Sequence, residues 1–451
     1  MYLKILLYLC DGQQKIMMDE RLEKIAKVNY WNGNHFNSGV ERTLYLDRII
    51  PYIGNRVIKV VTGQRRAGKS WLLRQVMASM IKNGVMDPSQ ILYVNKEFYR
   101  FSFLQTADDL MNLYETYCSE INPNKKSYVF FDEVHNIPGW ERVIDSLSQD
   151  PSIDCEVFLT GSNSKMLSGE LSTLLSGRYV EFEVQPFSYR EYLKTENSSP
   201  SRSTMIDYLC SGGLPEFVNL NGEETKRHYV ESVKDTILLR DIVERYNIKD
   251  AALLNSIFAY LVNNGTSLVS VSNVVNYLNN EQSKRNPKAK EKNYETVSNY
   301  IGYLTDAFVI LKADRYDLKG KEILKGAAKF YANDNSYHNY LFDGFGFGQG
   351  ALLESYVYQA VRRAGWKVYV GRVQNKEVDF VCTDHDNRLY VQSSWTIEDE
   401  ETAEREYSSL ESVDDSYPKI VVTMEDITRK NRNGIQNIQA WNLEDYLARL
   451  S

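Results

Sequence analysis

Residues 57 to 77, VIKVVTGQRRAGKSWLLRQVM, combine the residue types and the spacing that a polyphosphate site requires. Gly63, Gly68, Lys69 and Ser70 fit the pattern G-x-x-x-x-G-K-[ST]. In that pattern backbone N–H groups converge on the phosphates, the lysine reaches the outer phosphates and the hydroxyl ligates Mg²⁺. The run VIKVVT predicts a buried strand and the segment after the loop predicts a helix. We therefore predict a phosphate-binding loop formed by Gly63, Ala67, Gly68, Lys69, Ser70 and Trp71.

A second apolar run, SYVFFDEVHNI, ends in two carboxylates, Asp132 and Glu133. Asp132 follows Lys69 by 63 residues (from 69 to 132). If this strand neighbours the strand that precedes the loop, Asp132 can hold Mg²⁺ and Glu133 can polarise an attacking water as a general base. The sequence therefore predicts a nucleotide-hydrolysing site.

Two further polar positions lie downstream. The strand in CEVFLTGSNSKML ends in Ser162 and Asn163, which we predict to hydrogen-bond the attacking water or the outer phosphate. Arg178, in LLSGRYVEFEV, has two interpretations. It either stabilises transition-state charge, in its own chain or from a neighbouring subunit, or is an ordinary exposed arginine.

The C-terminal part has the order helix, three strands, helix and strand, and carries carboxylates at nuclease-like places. Glu354 on the helix and Asp379 on a strand could gather Mg²⁺, but Gln392 and Ser394 stand where a glutamate and a lysine would complete the site. An amide offers Mg²⁺ an oxygen without a charge, so we expect weak or absent nuclease activity. The alternative is that Glu354 and Asp379 are plain surface carboxylates.

The elements that would position these residues divide the chain into five parts. Alternating strand and helix patterns predict a parallel sheet with helices on both faces, and three helices followed by a hairpin predict a winged helix. The order of the strands suits an ASCE-type P-loop sheet, with one strand inserted between the strand before the loop and the strand that ends at Asp132. The predicted parts are an N-terminal extension (1–25), a P-loop domain (26–195), a helical lid (196–250), a winged helix (251–335) and a restriction-endonuclease-like α/β domain (345–451).

Charge is distributed unevenly along the chain. With 53 lysines and arginines against 60 acidic residues, the net charge of −7 excludes a polybasic protein, so any basic surface must be local. Cations cluster around the third helix of residues 251–335, which favours either contact with double-stranded DNA or a solvated loop on a protein-interaction module. They are Lys284, Arg285, Lys288, Lys290, Lys292, Lys312, Arg315, Lys319, Lys321, Lys325 and Lys329.

The cysteines, the apolar runs and the first residues bear on the cellular compartment of the protein. The five cysteines form no CxxC pair, which favours reduced thiols and no zinc site. No run of 18 apolar residues predicts a membrane helix. The opening MYLKILLYLC is either a short signal-like segment or the product of an upstream start, with Met17 or Met18 as the true one. We expect a cytoplasmic protein.

The order of GQRRAGKS, FFDEVHNI, LTGSNSKMLSGELSTLLSGRY, PFSYREYL, GGLPEF, GALLE and VDFV resembles a family of prokaryotic AAA-type, archaeal-ATPase-like proteins with a C-terminal restriction-endonuclease-like domain. The resemblance implies ATP and Mg²⁺ as cofactors. It assigns phosphate and metal to Lys69 and Ser70, the metal to Asp132, the water to Glu133 and a sensor role to Asn163. Three hypotheses follow: an ATPase acting on DNA, a nucleotide-controlled switch that docks a protein, and an ATP-gated nuclease.

Overall fold

The computed structural model of the chain describes residues 19–123, 125–167, 175, 177–288, 290–342, 348–426 and 431–450. Most of the predicted N-terminal extension, including both candidate start residues, lies outside the described residues. No helix within these ranges is long and apolar enough to cross a membrane.

The first half of the chain forms a sheet of five parallel strands. Four of the strands are buried along their whole length, as their Val, Ile and aromatic content predicts. The strands are β1 (Ile58–Thr62), β2 (Ile91–Asn95), β3 (Ser127–Asp132), β4 (Cys155–Gly161) and β5 (Tyr179–Glu183), in the spatial order β2-β3-β4-β1-β5. The predicted α/β fold with a P-loop AAA-type sheet is confirmed.

Helices cover both faces of this sheet and create two separate hydrophobic cores. One core contains residues of α1 (Glu20–Ala26), α4 (Ala107–Glu120) and α5 (Trp140–Gln149). The other contains residues of α2 (Thr43–Ile49) and α3 (Lys69–Lys82).

The strand that carries Asp132 does not neighbour the strand that precedes the loop. Strand β4 pairs with β1 on one side and with β3 on the other. The prediction of a strand inserted between these two strands is therefore confirmed, and the inserted strand is β4. Asp132 still reaches the loop because the carboxyl ends of parallel strands meet at one edge of a sheet.

Helices then fill the middle of the chain. Side chains cap several of them, for example Ser201, Asp250, Ser270 and Asn293, each of which accepts a hydrogen bond from the backbone of the first turn. The helices are α6 (Tyr189–Glu196), α7 (Arg202–Ser211), α8 (Glu223–Thr236) with a π-helical continuation (Ile237–Glu244), α9 (Ala251–Asn263), α10 (Val271–Arg285) and α11 (Tyr294–Asp306).

The rest of the chain builds a second sheet of seven strands, in the order β12-β11-β10-β9-β8-β6-β7. Helices α12 (Asn335–Leu341), α13 (Gln349–Arg363), α14 (Glu400–Glu411) and α15 (Leu443–Leu447) accompany it. The strands are β6 (Ile310–Asp317), β7 (Glu322–Ala332), β8 (Lys367–Val373), β9 (Lys376–Asp384), β10 (Asn387–Ser394), β11 (Lys419–Thr423) and β12 (Gln436–Gln439).

The hairpin β6–β7 was predicted within residues 251–335, apart from the C-terminal strands. In the structure β6 runs parallel to β8, with Arg315 opposite Val370, so the hairpin and the C-terminal strands share one sheet. Pairing with β8 satisfies the backbone groups that β6 would otherwise expose at a sheet edge. The helices α9–α11 are thereby joined to the C-terminal part through a continuous sheet.

Candidate functional site

The loop after β1 needs glycine at two of its positions. Gly63 has a φ of 135°, and a Cβ added there would lie 2.1 Å from the carbonyl oxygen of Val184. Gly68 has a φ of 97° and directly precedes α3. Both values lie in the region that side-chain-bearing residues disfavour, so the backbone bends as the motif predicts.

Lys69 is the first residue of α3, and its ammonium points back into the loop. The Nζ atom donates hydrogen bonds to the carbonyl oxygens of Gly63 (2.9 Å) and Gln64 (3.0 Å). It lies 3.9 Å from Oε1 of Glu133. Burial lowers the pKa of Lys69, which the neighbouring carboxylates of Glu133 and Asp132 counteract. A buried cation thus stands inside a glycine-lined loop.

The other predicted loop residues differ in their surroundings. Ala67 is buried, and its carbonyl oxygen accepts a hydrogen bond from the fully buried Arg42 (2.8 Å). Ser70 is half-buried at the start of α3. Trp71 is 42 % exposed and stacks under the Arg74 guanidinium, 5.1 Å from the ring centroid. The Arg42 contact, which fixes the loop from outside, was not predicted.

Asp132 ends β3 and is held by side chains from both neighbouring strands. Its Oδ2 accepts hydrogen bonds from the Tyr93 hydroxyl (2.8 Å) and the Asn95 amide (2.8 Å) of β2. Its Oδ1 accepts from the Thr160 hydroxyl of β4. The carboxylate is therefore fixed in one orientation at the carboxyl edge of the sheet. The polar Asn95 at the end of β2 is the signal that could have revealed this arrangement.

Glu133 follows in an unusual backbone conformation. Its φ is 55°, and its N–H donates to the Thr160 hydroxyl oxygen (3.0 Å). Burial raises the pKa of Glu133 to about 7, although the nearby Lys69 acts in the opposite direction. A carboxylate with a pKa near neutrality is well matched to accept a proton from water.

His135 was quoted with the motif but not predicted as part of the site. Its Nδ1 lies 3.5 Å from Oε2 of Glu133, and its Nε2 lies 2.7 Å from Nη2 of Arg245. Burial lowers the pKa of His135 to about 3, so the imidazole is neutral near pH 7. Because Arg245 can only donate, Nε2 accepts and the ring proton is assigned to Nδ1, facing Glu133.

Asn163 is buried just beyond the end of β4. Its Oδ1 accepts from the Lys165 N–H (2.8 Å), and its Nδ2 donates to the Tyr246 hydroxyl (3.4 Å). The adjacent Ser162 hydroxyl is buried without a hydrogen-bond partner. Both residues follow the strand between β1 and β3. The predicted sensor residue thus lies at the same sheet edge and contacts the segment after the π-helical stretch.

Arg178 lies at the opposite edge of the sheet. It precedes β5, and its carbonyl oxygen accepts from the N–H of Ile58, the first residue of β1 (2.9 Å). A five-residue strand therefore separates it from Gly63, roughly 16 Å. Its Nη1 lies 3.1 Å from Oδ1 of Asp145. The interpretation that Arg178 reaches the phosphates of its own chain is wrong, and a role in a neighbouring subunit stays a prediction.

The three residues of the predicted vestigial nuclease site do meet, around a cavity of about 720 Å³ that Glu354, Asp379 and Gln392 help to line. Gln392 Oε1 accepts from the Asp379 N–H (3.1 Å). Burial raises the pKa of Asp379 to about 7, and Glu354 adds to this effect.

Ser394, which stands at the position of the missing lysine, donates a hydrogen bond to the Thr396 carbonyl (2.8 Å). Within the described residues no group of three or more His, Cys, Asp and Glu side chains could hold a metal.

A cation from another element enters this cavity region. Lys329 of β7 is buried, and its Nζ lies 2.9 Å from Oε1 of Glu354 and 2.8 Å from Oε1 of Glu377. The sequence assigned Lys329 to a solvent-facing basic hairpin, and that expectation is wrong. Lys292 and Lys312 likewise form ion pairs, with Asp250 (2.8 Å) and Asp314 (2.7 Å).

Sequence comparisons find family models and relatives that match most of the chain. A family model described as an AAA domain matches residues 55–193, and one described as a domain of unknown function (DUF8612) matches residues 202–347. The second match runs across the predicted boundary between lid and winged helix. An uncharacterized protein of Haemophilus influenzae is 33% identical over 406 residues, which cover 88% of this chain and 97% of that protein. An uncharacterized protein of Methanocaldococcus jannaschii is 28% identical over 372 residues, 78% of each chain.

The matching solved structures are more distant in sequence. The Aeropyrum pernix Orc1 protein in complex with DNA is 14% identical, with a TM-score of 0.30 over 67% of this chain and 92% of that chain. The Thermotoga maritima RuvB Holliday junction branch migration motor is 15% identical, with a TM-score of 0.30 over 60% and 87%. The family match and the extensive identity to the Haemophilus influenzae protein lead to one conclusion. The chain belongs to the family of AAA-domain proteins that includes this Haemophilus influenzae relative.

Proposed function

We propose that this protein binds ATP together with Mg²⁺ and hydrolyses it. The observation that carries the proposal is the meeting of Lys69, Asp132 and Glu133 at the carboxyl edge of one parallel sheet, with Lys69 Nζ 3.9 Å from Glu133 Oε1. The glycine loop offers N–H groups to an anion. The Ser70 hydroxyl and the Asp132 carboxylate are oxygen ligands of the kind that Mg²⁺ prefers. When bound, Mg²⁺ neutralises phosphate charge.

The hydrolytic step is assigned to residues beside the loop. Glu133 accepts a proton from the attacking water, and Asn163 orients that water or the outer phosphate. The neutral His135, held by Arg245, lies beside the Glu133 carboxylate, with its Nδ1 3.5 Å from Oε2. Lys69 remains charged against the phosphates and stabilises the charge that develops on them.

The remaining question is what responds to the nucleotide. We propose that α9–α11 and the β6–β7 hairpin act as a winged helix. The order of elements and the backbone pairing of Val269 with Ala328, which joins the segment before α10 to β7, support this assignment. Exposed cations at Arg285, Lys288 and Lys290 supply a surface for DNA phosphates.

One observation favours the second candidate, a nucleotide-controlled switch that docks a protein. Helix α11, which would enter a DNA groove, carries Glu295 and Asp306 and no lysine or arginine. Moreover, the cations of Lys292, Lys312 and Lys329 are engaged in ion pairs. A docking surface for a protein does not require clustered cations, whereas a DNA surface does.

One experiment tests the first function and separates the two candidates. Steady-state ATP hydrolysis by the full chain is measured with and without double-stranded DNA at two salt concentrations. Hydrolysis that DNA accelerates, and that loses this acceleration as salt rises, supports the DNA-coupled ATPase. Hydrolysis indifferent to DNA supports the protein-docking switch. No hydrolysis together with no ATP binding rejects both.

For the C-terminal part we propose a nuclease-like fold without strand cleavage. The amide of Gln392 and the position of Ser394 support this, because neither supplies the charge that a Mg²⁺-dependent nuclease uses. Incubation of plasmid DNA with the protein, Mg²⁺ and ATP should leave the plasmid supercoiled. Cleavage at stoichiometric protein would support the ATP-gated nuclease instead.

A further inference from the structure

A cavity of about 310 Å³ lies between the AAA domain and the C-terminal part, away from the phosphate loop. Its walls come from α2 and α6 on one side and from α13 and the segment around α15 on the other. The volume falls within the range typical of small-molecule sites, which often lie at domain interfaces.

A buried arginine with two donor atoms that make no hydrogen bond lines this cavity. Arg363, the last residue of α13, is 4 % exposed, and its Nε and Nη1 atoms have no hydrogen-bond partner. Burying a charged group without partners is costly, so buried arginines are normally satisfied by carboxylates or carbonyls. Two of the three guanidinium nitrogens therefore lack a hydrogen-bond acceptor.

The nearby carboxylates do not fill this role. Oε1 of Glu444 lies 3.5 Å from Nη1 of Arg363, too far for a good hydrogen bond. The two Glu444 oxygens instead accept from the backbone N–H groups of Tyr189 and Arg190, both at 3.0 Å. The Glu191 carboxylate is held by Arg42, at 2.8 and 2.9 Å. Both acidic groups at the cavity are thus already used by other donors.

The other cations at the cavity have partners. Arg190 forms an ion pair with Asp445. Lys194 donates to the carbonyl oxygen of Glu41 (3.4 Å) and to the hydroxyl of Thr43 (3.2 Å). Arg363 is therefore the cation at this cavity with two donor atoms that make no hydrogen bond, although Glu444 lies within ion-pair distance.

We propose that this cavity binds a small organic monocarboxylate with a compact apolar body. The carboxylate pairs with the Arg363 guanidinium, since arginine and carboxylate form strong charge-assisted hydrogen bonds. The apolar body packs against the remaining wall, which includes Leu44, Ala360, Ala364 and Leu447. A dianion such as a phosphate ester fits less well, because its second charge would face apolar groups and the carboxylates of Glu191 and Glu444.

The site is tested by isothermal titration of the full chain with 2-naphthoate, and with 2-naphthamide as its neutral counterpart. We expect the carboxylate to bind at least about ten-fold more tightly than the amide, as a charged hydrogen bond implies. Arg363→Met should reduce naphthoate affinity to the level of the amide. Arg362→Met is the matched control, because Arg362 pairs with Glu183 (2.6 Å) and does not line the cavity. This variant should bind naphthoate as tightly as the wild type.

A second variant covers the case in which Arg363→Met fails to fold. Ala364→Leu leaves the guanidinium in place but narrows the cavity, and should weaken naphthoate binding. Equal affinity for carboxylate and amide, unchanged binding in either variant, or no binding at millimolar naphthoate would each overturn the proposal. None of these measurements involves ATP, so the outcome is independent of the proposed ATPase activity.

Discussion

At the residue scale, the site depends first on Lys69. Replacing Lys69 with alanine removes a buried cation whose Nζ lies 2.9 Å from the Gly63 carbonyl oxygen. We expect ATP affinity to fall at least about 100-fold, because the phosphate charge loses its counter-charge. Isothermal titration with ATP and Mg²⁺ measures this.

Lys82→Ala is the control for Lys69→Ala, since Lys82 is exposed at the other end of the same helix. Its affinity for ATP should equal that of the wild type. Retained tight binding in Lys69→Ala would contradict the assignment of the loop.

A substitution at Glu133 should separate ATP binding from ATP hydrolysis. Glu133→Gln keeps the shape and the buried position of the side chain but removes the base, so ATP should still bind. The turnover rate should fall by about 100-fold or more, as the loss of a general base predicts. Titration gives the affinity, and phosphate release gives the rate. A turnover rate equal to that of the wild type would assign the base to another residue.

At the scale of elements, Lys329 of the edge strand β7 forms ion pairs with Glu354 of α13 and Glu377 of β9. Lys329→Met leaves the half-buried Glu354 without its ammonium partner, which lies at 2.9 Å, and should destabilise the protein by about 3 kcal/mol. Adding Glu354→Gln should restore part of the stability, because the uncompensated charge disappears. Thermal unfolding measures both effects.

Lys325→Met is the matched control for the β7 prediction. Lys325 lies on the same strand but is exposed, so the midpoint of unfolding should change little. If Lys329→Met were equally harmless, the buried ion pair would not contribute to joining the hairpin to the C-terminal part.

The sequence predicted local elements better than their pairing. The glycine loop, β3 ending at Asp132 and the C-terminal strand order follow from short-range patterns of apolar and special residues. The insertion of β4 between β1 and β3 was predicted from the order of the motifs, whereas the pairing of β6 with β8 depends on contacts between segments far apart in the chain. Lys329 illustrates the consequence: its partner Glu354 lies in another predicted domain, so composition alone suggested a solvent-facing cation.

At the scale of the whole molecule, ion pairs and a hydrogen bond connect the phosphate loop to distant parts of the chain. Arg65 pairs with Asp241 of the π-helical stretch (2.9 Å) and with Glu97 (2.9 Å). The Gln64 side-chain oxygen accepts from the Asn333 amide, just after β7 (3.2 Å). A ligand that orders the loop therefore also orders the segments that hold it, so local stability should rise in both halves of the chain together.

Hydrogen exchange of Glu133→Gln with and without ATP and Mg²⁺ tests this coupling. We expect slower exchange in the loop, in residues 237–244 and at the end of β7, because Arg65 and Gln64 connect all three. Lys69→Ala under the same conditions should show no protection, since it does not bind nucleotide. Protection confined to the loop and to the end of β3 would mean that the contacts of Arg65 and Gln64 do not transmit nucleotide binding, and that the second sheet responds to another signal.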